Sequence, residues 1–139
     1  EVPEDDEVLA YCRALHADLA ALHAFGEPVR VLLDTRPAKA QAKRWAWIKK
    51  GAPLIVEVGP RDIAETKVAV LRRDQLYQDT GKLATAFMPR DEFVAGAGAL
   101  LEAIQASLHA DAKARLDAHI ARDVTDLAAH YAGDDVRFA

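Results

Sequence analysis

Two apolar periodicities alternate along the chain and predict an α/β protein: a mixed β-sheet flanked by helices, followed by a long helix and a small appendage. Three observations carry that expectation. A stretch with apolar residues three or four apart (Val8, Leu9, Cys12, Leu15, Leu19, Leu22) gives way to short runs dense in β-formers, PVRVLLD, PLIVEVG and KVAVLRR. Glycine and proline stand where the period changes, at Gly26, Gly51, Pro53, Gly59 and Pro60. At 139 residues, 51% hydrophobic and 29% charged, the chain has the size and composition of one ordinary globular domain.

Taken in order, residues 4–24 are expected as a helix with acids in its first turn and Gly26 past its end. Residues 28–34 are expected as a strand, and residues 38–50 as a second helix stopped by Gly51, with Pro53 beyond. The strand at 53–58 puts Leu54, Val56 and Val58 on one face and Ile55 and Glu57 on the other. Asp62 and Glu65 have the spacing of a capping box, so Asp62 is read as the N-cap of a single helical turn. Strands at 67–73 and 83–88 enclose an enlarged hairpin loop around Thr80-Gly81. From Asp91 to about residue 121 an apolar stripe through Leu100, Ile104, Leu108, Leu116 and Ile120 predicts a long helix, its first turns weakened by Gly96 and Gly98. A last helix with Thr125 as N-cap and a strand beginning at 136–139 complete the reading. The division expected is an α/β domain over 1–90 and the long helix with the start of an appendage over 91–139. Because the chain opens on a helix, with no strand to feed a right-handed crossover, it is expected to be a fragment lacking its first strand.

Several function classes fall away. One cysteine, Cys12, allows neither an internal disulfide nor a multi-cysteine zinc site, and five scattered histidines form no short-spaced metal pair. No nucleophile elbow, P-loop, dinucleotide fingerprint or zinc-protease helix is present, so no catalytic residue is assigned. Gly96-Ala-Gly98 has no strand before it and reads as close helix contact; Cys12, on an apolar helix face, reads as a small core residue. No apolar run reaches the roughly 20 residues of a membrane helix, and the N-terminus is acidic, so a soluble cytoplasmic protein without membrane contact is expected.

The net charge is −4, yet Arg36, Lys39, Lys43, Arg44, Lys49 and Lys50 fall within one acid-free stretch that also holds Trp45 and Trp47. Such a run is a weak signal for phosphate contact, since solvated helix lysines give the same pattern. Just beyond it Glu57 closes an apolar strand and is followed by Gly-Pro-Arg61-Asp62. A glutamate on an exposed strand face needs no function; set beside Arg61 and Asp62 on a sheet rim, it could equally be part of a polar reading surface.

The stretch KRWAWIKKGAPLIVEVGPRD, residues 43–62, resembles the anticodon-binding domain of prolyl-tRNA synthetases. Lys43, Trp47, Lys50, Gly51, Pro53, Glu57, Gly59, Pro60, Arg61 and Asp62 match that family's pattern K-x-x-x-W-x-x-K-G-x-P-x-x-x-E-x-G-P-[RK]-D without a gap. VAVLRRD (68–74), with Arg72, Arg73 and Asp74, and Thr80-Gly81-Lys82 are similar to further family segments, and the tail resembles the helix that follows. The resemblance covers about Val8 to Tyr131. This sequence departs from the family in lacking its first strand, in a longer loop around Gln75–Gln78, and in lacking the zinc-binding cysteines of many relatives.

The resemblance implies a C-terminal tRNA-binding part of a proline–tRNA ligase, with no cofactor of its own. ATP and Mg would act in a separate catalytic domain, through which such synthetases form homodimers. Its partner would be the proline anticodon stem-loop, whose two guanines offer N1–H and N2–H₂ as donors and O6 and N7 as acceptors. Glu57 would accept from one guanine, Arg61 would donate to O6/N7 or phosphate, and Asp62 would accept from a base or fix Arg61. Arg73 and Lys82 would serve the other guanine or the backbone, and Lys43 and Lys50 would add contacts to the RNA. Trp47 is read as an anchor of the second helix, and Trp45 as the better stacking platform. Two other readings stand beside this one: a degenerate domain that kept the fold for protein contacts, and a small α/β nucleotide-binding domain.

Overall fold

The computed structural model describes residues 3–121 and 124–132. Two compact units are present, Glu1–Gln105 and Ala106–Ala139.

In the first unit, α1 (Pro3–Ala20) leads into a hairpin of β1 (His23–Ala24) and β2 (Glu27–Pro28). After an irregular segment come α2 (Ala40–Lys50), β3 (Leu54–Glu57), α3 (Pro60–Ala64), β4 (Lys67–Arg72), a 3₁₀ turn at Arg73–Gln75, β5 (Ala86–Pro89) and the start of α4 (Arg90–His119). The α/β class is as expected, and the pairings among the described strands are all antiparallel, in the order β3-β4-β5. Glu57 stands opposite Ala69, and Val70 opposite Ala86.

The core lies on one face of that sheet. Val68 and Val70 of β4 meet Leu15 and Leu19 of α1 and Phe93 and Ala97 of α4, all buried. Leu54, Val56 and Val58 pack against the same cluster, which confirms the alternation expected of β3 and leaves Ile55 and Glu57 on the other face. Arg90 ties the ends of the two long helices together by pairing with Asp18 and standing 5.7 Å from the Tyr11 ring.

Several boundaries differ from expectation for local reasons. Residues 28–34 form no strand beyond Pro28, because the chain from Val29 to Leu33 finds no ladder partner among the described residues. Its burial still alternates: Val29, Val31 and Leu33 are half-buried while Arg30 and Leu32 are exposed. The first helix stops at Ala20 because the chain reverses at Phe25 (φ +54°) and Gly26 (φ +76°), so Gly26 is a hairpin residue and not a helix terminator. Gly51 does terminate α2 as expected: at φ +86° it donates to Ile48 O while Ala52 N–H donates to Trp47 O, which satisfies two of the helix's terminal carbonyls.

The helical turn expected to follow Asp62 as N-cap starts three residues earlier, at Pro60, with Gly59 as the N-cap. Proline is pre-set for a first helical position, so Asp62 falls at the third and reaches back to Gly59 N–H at 2.8 Å; it caps without being the N-cap residue. Gly98 shows why glycine sits in α4, since a Cβ there would lie 2.7 Å from the carbonyl oxygen of His23. By length and composition α4 is apolar enough to cross a membrane; Phe93, Ala97 and Ile104 are its buried residues.

The second unit holds the C-terminal turns of α4, where Lys113 and Asp117 pair at 2.6 Å, and α5 (Leu127–His130). Asp126, not Thr125, is the N-cap of α5 and accepts from Ala129 N–H at 3.0 Å. The strand expected at 136–139 lies outside the described residues.

Candidate nucleic-acid interface

Of the residues singled out in sequence, Lys43, Lys50, Glu57, Arg61 and Asp62 lie on α2, β3 and α3, Arg73 contacts the end of α2, and Lys82 lies apart on the hairpin before β5, all within the first unit. Glu57 ends β3 on the face away from the main core, and α2 delivers Arg44 to it. Arg44 Nε–H donates to Oε1 and Nη2–H to Oε2, each at 2.7 Å, a two-pronged pair of the kind that carboxylates and guanidiniums form most strongly. The hydrogen bonds that it donates to Glu57 hold the Arg44 guanidinium above its ordinary range. Arg44 and Glu57 side chains keep 21% and 27% of their exposure, so the pair is shielded but within reach of a ligand.

Arg61, four residues on, projects from α3 into solvent with a side chain 90% exposed, steadied by Glu65 at 3.1 Å across one helical turn. Lys67 takes the other oxygen of Glu65 at 2.9 Å; with Lys67 first and Arg61 second, these bonds hold the Glu65 carboxyl below the usual range. Asp62 is occupied by the Gly59 N–H, and so fixes the turn that carries Arg61.

A second knot lies at the start of α2. Asp34 accepts from Arg36 Nη2 at 2.6 Å and Nε at 2.9 Å and from Trp47 Nε1–H at 2.7 Å, and its backbone oxygen accepts from Lys43 Nζ at 3.1 Å. Arg36 first and Trp47 second hold the Asp34 carboxyl well below the usual carboxylate range. Trp47, expected as a core anchor of the second helix on the sheet, is half-buried and ties α2 to the segment before it through its indole N–H. Trp45 is half-buried, like its neighbours on α2.

The other cations divide by role. Lys50 Nζ sits 4.4 Å from the centroid of the Trp47 ring, a cation–π contact at the helix end. Arg73 Nη1 donates to Ile48 O at 2.8 Å, where a positive charge meets the negative end of α2. Arg72, by contrast, is forked onto Asp74, whose side chain is fully buried. Lys82 is exposed in the loop before β5, a hairpin held by Gln78 N–H to Lys82 O and by the Tyr77–Leu83 bridge.

Glu57, Arg61 and Asp62 thus share one strand-to-helix turn, Lys43, Lys50 and Arg73 brace α2, and Lys82 stands on the hairpin. Sequence reasoning did not single out Arg44, 13 residues from Glu57, or Asp34, which joins Arg36 two residues on to Trp47 13 residues on. In the sequence Arg44 is one of six basic residues in a run, and only the helix phase relative to β3 distinguishes it.

The family described as anticodon binding domain matches residues 2–95. Over 132 residues the chain is 65% identical to a proline–tRNA ligase of Sphingopyxis alaskensis, covering 95% of this chain and 25% of that protein. It is 55% identical over 139 residues to the proline–tRNA ligase of Sphingomonas elodea and 54% over 123 residues to that of Novosphingobium aromaticivorans, covering 98% and 88% of this chain. The chain spans about a quarter of the length of these relatives. With its helix-flanked antiparallel sheet and the E-x-G-P-R-D turn, the chain belongs to the anticodon-binding domain family.

Proposed function

We propose that this chain binds tRNA and reads the proline anticodon as the anticodon-binding portion of a proline–tRNA ligase. The ligase chemistry with its ATP and Mg, and the homodimer contacts, belong in this reading to a catalytic portion of a cytoplasmic parent. The observation that carries the proposal is Glu57 at the end of β3, held by the Arg44 fork one turn from an exposed Arg61. Guanine is the base whose Watson–Crick edge presents two neighbouring N–H donors, and a carboxylate is their natural acceptor. Arg61 is placed to donate to a base oxygen or a phosphate. Arg36, Lys39 and Lys49, exposed around α2, supply a positive field for the backbone.

Binding of a labelled proline anticodon stem-loop to the chain and to two variants tests this. Glu57→Gln and Arg61→Ala are each expected to weaken binding by about 5- to 150-fold, the worth of one polar contact to a base or its phosphate. Thermal unfolding is measured alongside, because Glu57→Gln also alters the Arg44 pair. If both variants bind as tightly as the parent chain, the basic surface alone binds RNA and the degenerate interaction module becomes the better reading.

A further inference from the structure

We propose that Arg44 is a specificity-determining residue that occupies the guanine-reading edge of Glu57 in the free protein and must be exchanged for the guanine itself. The inference rests on the anticodon reading above. It starts from the two 2.7 Å bonds, which take one lone pair from each carboxylate oxygen along the same edge. Guanine N1–H and N2–H are parallel donors with similar separation and direction, so a guanine that engages both oxygens needs that same edge. Arg44 and guanine are alternative occupants of one acceptor.

The consequence is selectivity by replacement. A ligand that offers two parallel donors restores both bonds that it breaks. One that offers a single donor leaves one oxygen of a shielded carboxylate unmatched, and so leaves Arg44 in place. Nothing else described holds Arg44: its two forked nitrogens go to Glu57, and Nη1 with the remaining Nη2 hydrogen has no partner among the described residues. Once displaced, the guanidinium gives up both bonds to Glu57 and its Nε–H passes to solvent.

The test follows the Nε–H resonance of Arg44 in the ¹⁵N-labelled 139-residue chain. It is titrated with a proline anticodon stem-loop and with one whose second guanine is inosine, which lacks the N2 amino group. Exchange is expected to return the Arg44 Nε–H toward its unbonded shift and fast solvent exchange with the guanine loop, and to leave it protected with the inosine loop. In Arg44→Lys, which keeps the charge but cannot fork, the preference for guanine over inosine is expected to fall about fivefold, because inosine need displace only one bond. A guanine loop that binds selectively while Arg44 stays protected would overturn the exchange and leave anticodon reading standing. Equal binding of both loops by the unsubstituted chain would overturn two-donor reading by Glu57 and the exchange together.

Discussion

Asp34 and Glu57 are each answered by an arginine, yet they do opposite kinds of work. Asp34 is closed on itself, accepting from Arg36 and Trp47, and holds the start of α2; Glu57 is partly open and faces outward with its arginine. The depressed Asp34 carboxyl sets a pH dependence. A group that ionises more readily when folded contributes stability above its unfolded value of about 3.9, and loses it as pH falls through the lower folded value. Melts of the chain and of Asp34→Asn, followed by tryptophan fluorescence, are therefore expected to differ by a constant amount between pH 5 and 8, and to converge below about pH 4. A gap that closed between pH 7 and 6 would assign the sensitivity to another group. The E-x-G-P-R-D match drew attention to Glu57, Arg61 and Asp62, but their contacts were not legible. Asp62 was read as an N-cap residue because its spacing to Glu65 fits a capping box, whereas Pro60 starts the helix first.

At the scale of elements, α2 has no fully buried side chain along its 11 residues. Its attachment shows in polar bonds, Arg44 to Glu57, Trp47 and Lys43 to Asp34, and Arg73 to Ile48 O. The helix that carries most of the basic surface is thus held by bonds that charge and pH can alter, while β4 and the start of α4 are held by apolar contact. The glycines of α4 separate two causes. Gly98→Ala places a Cβ against the His23 carbonyl and is expected to cost about 1–3 kcal/mol, whereas Gly96→Ala meets nothing within 4 Å and is expected to stabilise by about 0.5–1 kcal/mol. Equal effects in urea unfolding would remove the close approach as the reason for Gly98. The periodicities identified α1, β3, β4 and α4 because each has an apolar face against the core, whereas α2 was legible from its Gly51 stop. Val29–Leu33 shows the limit: a strand is defined by its neighbour, and period-two burial alone does not supply one.

For the molecule as a whole, the net charge of −4 conceals a basic run from Arg36 to Lys50, and binding should answer to that run. With three or four phosphates neutralised, the slope of log affinity against log salt is expected to be about −2 to −3, and a slope near zero would remove the basic surface from the account. The α/β class and the functional region were legible because the motif spans a helix end, a strand and a turn without a gap. The Arg44 fork was not, since it depends on the angle at which a helix crosses a sheet. The most direct measurement is the affinity of the chain for a proline anticodon stem-loop and for one with its second guanine changed to adenine, each at low and at physiological salt. Reading by Glu57 is expected to give a preference of about tenfold or more that persists at both salts while both affinities fall together. Equal affinities for the two loops at each salt would contradict it.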